Sequence, residues 1–214
     1  MKTIVFTGFE PFGGEATNPS WRAVEELMRR PGPVRLIARQ IPTVFGQAAR
    51  AVEEVLGDIQ PDGLVCVGQA GGSTGLRVER VGVNLNDARI PDNAGQQPVD
   101  QPIVAGGPAA YWSTLPTRRL VEALGRAGIP AELSYSAGTF VCNHVLYSAL
   151  HYAAAHGLKT RVGFIHVPYL PEQAVGKANT PCMSLETMVR GLEIVAQELA
   201  DWLEACDLAH PSRE

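Results

Sequence analysis

Three kinds of side chain in this sequence could together form a covalent bond and move a proton: a cysteine, a histidine and a carboxylate. The four cysteines, Cys66, Cys142, Cys182 and Cys206, are far apart and include no C-x-x-C pair. That spacing argues against a zinc site and against a disulfide framework, and in a reducing compartment each is a free thiol. Cys142 has the context for chemistry. It stands at the predicted start of a helix, after a turn containing Gly138, where backbone N–H groups and the helix dipole favour a thiolate and can hold an oxyanion. Cys66 lies in an apolar run and reads as core, Cys182 falls in a loop and Cys206 in the last helix. Among the histidines, His166 closes the apolar run that starts at Arg161, and His144 is the second candidate, too near Cys142 in sequence to place its ring comfortably as a base. Glu79, in Arg77-Val78-Glu79-Arg80, offers an acid to orient an imidazole, although a surface ion pair with a neighbouring arginine suits the same spacing.

Two glycine-rich turns accompany these candidates: Gly8-Phe9-Glu10-Pro11-Phe12-Gly13-Gly14 and Gly68-Gln69-Ala70-Gly71-Gly72. The second lacks the Lys-Ser/Thr of a phosphate loop and does not fit G-x-G-x-x-G. Close backbone approach to a small ligand suits it better than phosphate, with a plain tight turn as the alternative.

To hold such a constellation, the chain must bring the ends of several elements together. Apolar runs predict strands at 4–7, 34–40, 62–67, 132–136 and 161–165, with 78–85 as a strand or hairpin arm. Helices are predicted at 47–56, 117–126, 142–156 and 185–204, and at 20–30, capped by Asn18-Pro19-Ser20 and stopped by Pro31-Gly32-Pro33. Short strands separated by helices predict a three-layer α/β/α fold, a mostly parallel twisted sheet with helices on both faces. Such sheets place their sites outside the carboxyl ends of the strands, so both glycine turns, Cys142 and His166 are expected at one edge. Residues 86–116, rich in Gly, Pro, Asn and Gln, predict ordered loops with a short strand at 102–105. No repeat or linker divides the sequence, and residues 1–214 read as one domain.

The bulk composition narrows the function classes. A chain of 214 residues, 45% hydrophobic, with a net charge of −4 fits one packed α/β domain. No basic stripe announces a nucleic-acid partner, and no window approaches the apolar length of a membrane span. The opening run, Met1 to Gly8, is too short for a signal-peptide core, which predicts a cytoplasmic protein. No cofactor or metal is expected.

Taken together, these blocks closely resemble the pyrrolidone-carboxylate peptidases, or pyroglutamyl peptidase I, a family of cysteine peptidases. The resemblance runs over nearly the whole chain. It is carried by the first glycine turn with Asn18-Pro19-Ser20, by Ile41-Pro42-Thr43-Val44-Phe45, and by Gly68-Gln69-Ala70-Gly71-Gly72 leading to Glu79-Arg80-Val81 and Asn84. Ala88-Arg89-Ile90-Pro91-Asp92-Asn93, Gly106-Gly107-Pro108-Ala109-Ala110-Tyr111, Ser134 to Asn143 and Phe164-Ile165-His166-Val167-Pro168-Tyr169 complete it. The resemblance implies removal of an N-terminal pyroglutamyl residue from peptides, with Cys142 as nucleophile, His166 as acid/base and Glu79 orienting the imidazole. It implies that Phe9, Phe12, Phe140 and Val141 hold the lactam ring, that Gln69 makes a polar contact and that Arg89 lies near the oxyanion. It also implies a homotetramer. Arg77, Gly82 and Ser73 depart from the family's usual residues at non-catalytic positions. Hydrolysis of another lactam, amide or ester, and binding of a pyroglutamyl ligand without turnover, are the competing readings.

Overall fold

The computed structural model describes residues 1–30, 32 and 34–209. Six strands, β1 (Thr3–Phe9), β2 (Arg35–Ile41), β3 (Gly63–Gln69), β4 (Leu76–Glu79), β7 (Ala131–Ser134) and β8 (Arg161–Val167), form the main sheet. β5 (Val81–Val83) and β6 (Ala110–Trp112) make a separate antiparallel pair. The main sheet runs in the order β2-β1-β3-β8-β4-β7. The first four of these strands are parallel, β4 is antiparallel to β8, and β7 is parallel to β4. The helices are α1 (Pro19–Leu27), α2 (Gln47–Glu54, continued by a π-helical turn, Val55–Ile59), α3 (Thr117–Arg126), α4 (Val141–Ala155), α5 (Pro171–Ala174) and α6 (Leu185–Ala209).

Strand alternation decides what faces what. Ile4, Phe6, Val65, Val67, Leu76, Val78, Ile165 and Val167 point to the face covered by α1, α3 and α6. Val5, Phe9, Leu64, Cys66, Val162 and Phe164 point to the face covered by α2 and α4. The central strands are buried on both faces and therefore read as continuous apolar runs. The same parity assigns Gly68, Glu79 and His166 to the α4 face. α4 is itself apolar nearly all round, as a helix buried on most sides must be.

The structure departs from the sequence expectations in several places. The stretch 78–85 is not one strand: the chain leaves the main sheet at Arg80, whose N–H donates to the Ser134 carbonyl at 2.8 Å and whose carbonyl accepts from Ser113. Beyond that break β5 lies along α4, clipped by Asn143, which accepts from the Val83 N–H and donates to the Val83 and Leu85 carbonyls. No strand forms at 102–105, and the loop region contributes β6 instead. Helix α1 ends at Leu27 rather than Arg30, while Pro31 and Pro33 of the expected stop signal lie outside the described residues. β7 runs against the parallel strands, so Ser134, at its carboxyl end, is level with Glu79 and with Phe164 in mid-β8. The segment 135–140 must carry the chain back to the edge where β1, β3 and β8 end.

Candidate active site

Cys142 is the second residue of α4. The helix has no side-chain cap, and Phe140 before it is extended. The first-turn N–H groups are therefore the donors nearest the sulfur. The sulfur lies directly over β3: a Cβ added at Gly68 would stand 2.9 Å from Sγ and 2.6 Å from the Phe164 ring. Glycine at 68 is thus a requirement of close approach. Across the ladder Gly68 is paired with His166, which brings the imidazole to the strand beside the thiol.

His166 sits within β8, with its ring 4.7 Å from that of Phe164. Its Nδ1–H donates to Glu79 Oε1 at 2.8 Å, which fixes the tautomer because a carboxylate only accepts. Glu79 is fully buried and its other oxygen, Oε2, has no partner among the described residues. His166 Nε2 has no protein partner among the described residues. The carboxylate comes from the antiparallel strand, the histidine from the parallel set and the thiol from the helix above them.

The thiol and the imidazole border a cavity of about 680 Å³ lined by Phe12, Gln69, Arg89, Phe140, Cys142 and His166, among others, with Glu79 buried behind the ring. The Phe12 and Phe140 rings are 6.0 Å apart, and Phe45 meets Phe140 edge-on at 5.3 Å. Phe9 and Val141, expected at the ring, do not line the cavity: both are buried in the core between the sheet and α4, Phe9 against Phe164. Arg77, Asp87 and Tyr169 do line it; none is expected there from the sequence, in which Arg77 is noted only as a departure from the family's usual residue. Tyr169 has a retrospective signal: the Gly71 turn lacks a side chain because a Cβ there would meet the tyrosine ring at 2.4 Å.

The electrostatics differ from those expected of a helix start. Burial, first, and then the Glu79 charge push the Cys142 thiol up to about 12. The backbone N–H works the other way but does not win. That favours the thiol over the thiolate at neutral pH, so nucleophilic use of the sulfur requires a base. His144 cannot be that base. Its Nε2 accepts from the Gly46 N–H at 3.1 Å and its Nδ1 faces Asn86 Oδ1 at 3.0 Å, and burial pushes its pKa down to about 4. Cys66 is inside the core with its thiol also at about 12. Cys182 is exposed and Cys206 half-buried, and neither lines the cavity. Among the described residues no group of three or more His, Cys, Asp or Glu could hold a metal ion, and no helix is long and apolar enough to cross a membrane.

A thiol, an imidazole with one free nitrogen and a buried carboxylate, meeting at a cavity on a mostly parallel sheet, are the parts of a thiol hydrolase. Similarity to known proteins narrows that class. The family pattern described as pyroglutamyl peptidase matches residues 1–201. The pyrrolidone-carboxylate peptidase of Brevibacillus brevis is 50% identical over 198 residues, 92% of each chain. Pyrrolidone-carboxylate peptidase 1 of Ralstonia nicotianae is 51% identical over 198 residues, again 92% of each chain. The crystal structure of Bacillus amyloliquefaciens pyroglutamyl peptidase I superposes with a TM-score of 0.90 at 48% identity, covering 94% of this chain and 98% of that one. A mutant pyrrolidone carboxyl peptidase from Pyrococcus furiosus superposes with a TM-score of 0.89 at 42% identity, covering 94% and 99%. The chain belongs to the pyroglutamyl peptidase family of cysteine peptidases.

Proposed function

We propose that this chain, folded as one domain, removes N-terminal pyroglutamyl residues from peptides through a thioester on Cys142, with His166 as acid/base and Glu79 orienting the imidazole. The observation that carries the reading is the Glu79–His166 hydrogen bond beside Cys142, within a family member. The thiol proton passes to His166 Nε2 as sulfur attacks the pyroglutamyl carbonyl carbon. Collapse of the tetrahedral adduct breaks the C–N bond, and His166 returns the proton to the departing amine. Water then attacks the thioester, its proton going to His166, and pyroglutamate leaves as the thiol is restored. The Glu79 carboxylate offsets the charge on the imidazolium that forms twice in the cycle.

The cavity suits this substrate. A pyroglutamyl ring is a neutral lactam, so it needs apolar walls and a few hydrogen-bonding groups. Phe12 and Phe140 supply walls, Gln69 a polar contact and Arg89 positive charge for the oxyanion. A homotetramer in the cytoplasm belongs to the same reading. Exposed Val99, Trp112 and Tyr135 support assembly, which a light-scattering mass tests. Release of a fluorogenic amine from its pyroglutamyl derivative, abolished by Cys142→Ala, is the expected result; folded wild-type protein that releases none would sink the proposal.

A further inference from the structure

Gln173, on α5, is buried although its side chain is an amide, and its hydrogen bonds form a directed chain. The Leu170 N–H donates to Gln173 Oε1 at 3.0 Å. A backbone N–H can only donate, so this contact fixes which end of the amide is oxygen. Gln173 Nε2 must then donate, and what surrounds it can accept: Gln69 Oε1 at 3.0 Å, and the Thr17 carbonyl and Glu15 Oε2 at 3.4 Å. Two of those three cannot be donors, which confirms the orientation independently of Gln69. Glu15 is in turn held by Lys177 at 2.5 Å. The oxygen of Gln69 is therefore committed to the protein. Its Nε2 has no protein partner among the described residues, and Gln69 lines the cavity.

We infer that Gln173 is a positioning residue that locks the Gln69 carboxamide with its NH₂ toward the cavity, so that the pocket offers the ring carbonyl of the lactam a donor. This rests on the pyroglutamyl reading above. A free glutamine side chain can turn either end to a ligand, and a lactam presents both a C=O and an N–H. A locked one serves the carbonyl alone. A prolyl ring has a CH₂ where the lactam has its carbonyl, so it leaves that donor unpaired.

The test is steady-state kinetics with a pyroglutamyl coumarin amide on wild type, Gln173→Glu, Gln69→Leu and the double variant. In Gln173→Glu one carboxylate oxygen still accepts from Leu170, while the other opposes Gln69 Oε1 and turns that amide around. Each single change is expected to raise KM roughly tenfold, with kcat altered less than about threefold. The double variant should be no worse than Gln69→Leu, because Gln173 acts only through Gln69. An unchanged KM in Gln173→Glu, or additive effects in the double variant, overturns the inference. Should Gln173→Glu fail to fold, Gln173→Met removes the same donor and is read by the same criteria. Should wild type show no turnover, the proposed function fails first, and calorimetry with 2-pyrrolidone decides this inference: binding must be roughly tenfold weaker in the Gln173 variant, and equal binding refutes it.

Discussion

Among the described residues two histidines are buried, both on the same side of the sheet, and their surroundings have opposite consequences. His144, one turn into the site helix, spends both ring nitrogens on the protein, on the Gly46 N–H and on Asn86, and burial keeps it neutral to about pH 4. His166 spends one nitrogen, on the Glu79 carboxylate, and keeps the other for the cavity. Nearness to Cys142 in sequence already counts against His144; a free nitrogen and a carboxylate behind the ring favour His166. A histidine becomes a proton carrier when its hydrogen-bond inventory is left incomplete on the side where the substrate comes.

The contrast can be broken most directly by removing the ring. His166→Ala should lower kcat/KM for a pyroglutamyl amide by about 1,000-fold or more, alongside a Cys142→Ala control with no turnover. Turnover within a few fold of wild type would end the assignment. Glu79→Gln should cost less, about 10- to 100-fold, because it removes the charge behind the ring and leaves the ring. That same charge raises the Cys142 thiol, so alkylation of Cys142 by iodoacetamide at neutral pH should be no slower in Glu79→Gln even as turnover falls. Slower alkylation would mean that Glu79 favours the thiolate.

His144→Gln should leave turnover within about threefold but lower stability to urea by about 1–3 kcal/mol, through buried hydrogen bonds lost. A large loss of turnover with unchanged stability would reverse the two roles. The last effect concerns pH. The folded His144 titrates near 4 rather than at its ordinary 6.5, so between those values the unfolded chain binds the extra proton. Stability is then full above 6.5 and falls as the pH drops toward 4, by on the order of 3 kcal/mol at most. His144→Gln should flatten this part of the urea midpoint against pH, and an unchanged slope would place the titration elsewhere.

Much of the framework can be read from the chain. The doubly buried strands β1, β3 and β8 declare themselves as apolar runs, and α4 and α6 as long helices. Strand direction does not, because pairing is decided by distant partners: nothing near Glu132 says that β7 runs against β8. The break at Arg80 is equally silent, carrying neither glycine nor proline. Glu79 was legible only through the family resemblance, because its spacing alone suits a surface ion pair with a neighbouring arginine equally well, and the alternation that turns it to the face of His166 shows only in the folded β4. The state of the Cys142 thiol was not, because helix position argues for a thiolate while only the folded surroundings reveal the burial that outweighs it. Gln173 left a faint trace: proline at the first position of a short helix and glutamine at the third, where its side chain reaches back to the preceding N–H.

The strand order has a consequence for biosynthesis. β8 is the last strand to leave the ribosome, yet it is central, wedged between β3 and β4. Until about residue 167 has emerged, the nascent chain carries two fragments of sheet, each with an unpaired edge open to wrong partners. His166 arrives on that same strand, so the carboxylate waits 87 residues for its imidazole. The insertion that closes the sheet also brings the imidazole to its carboxylate, so a nascent chain without β8 lacks that hydrogen-bonded pair.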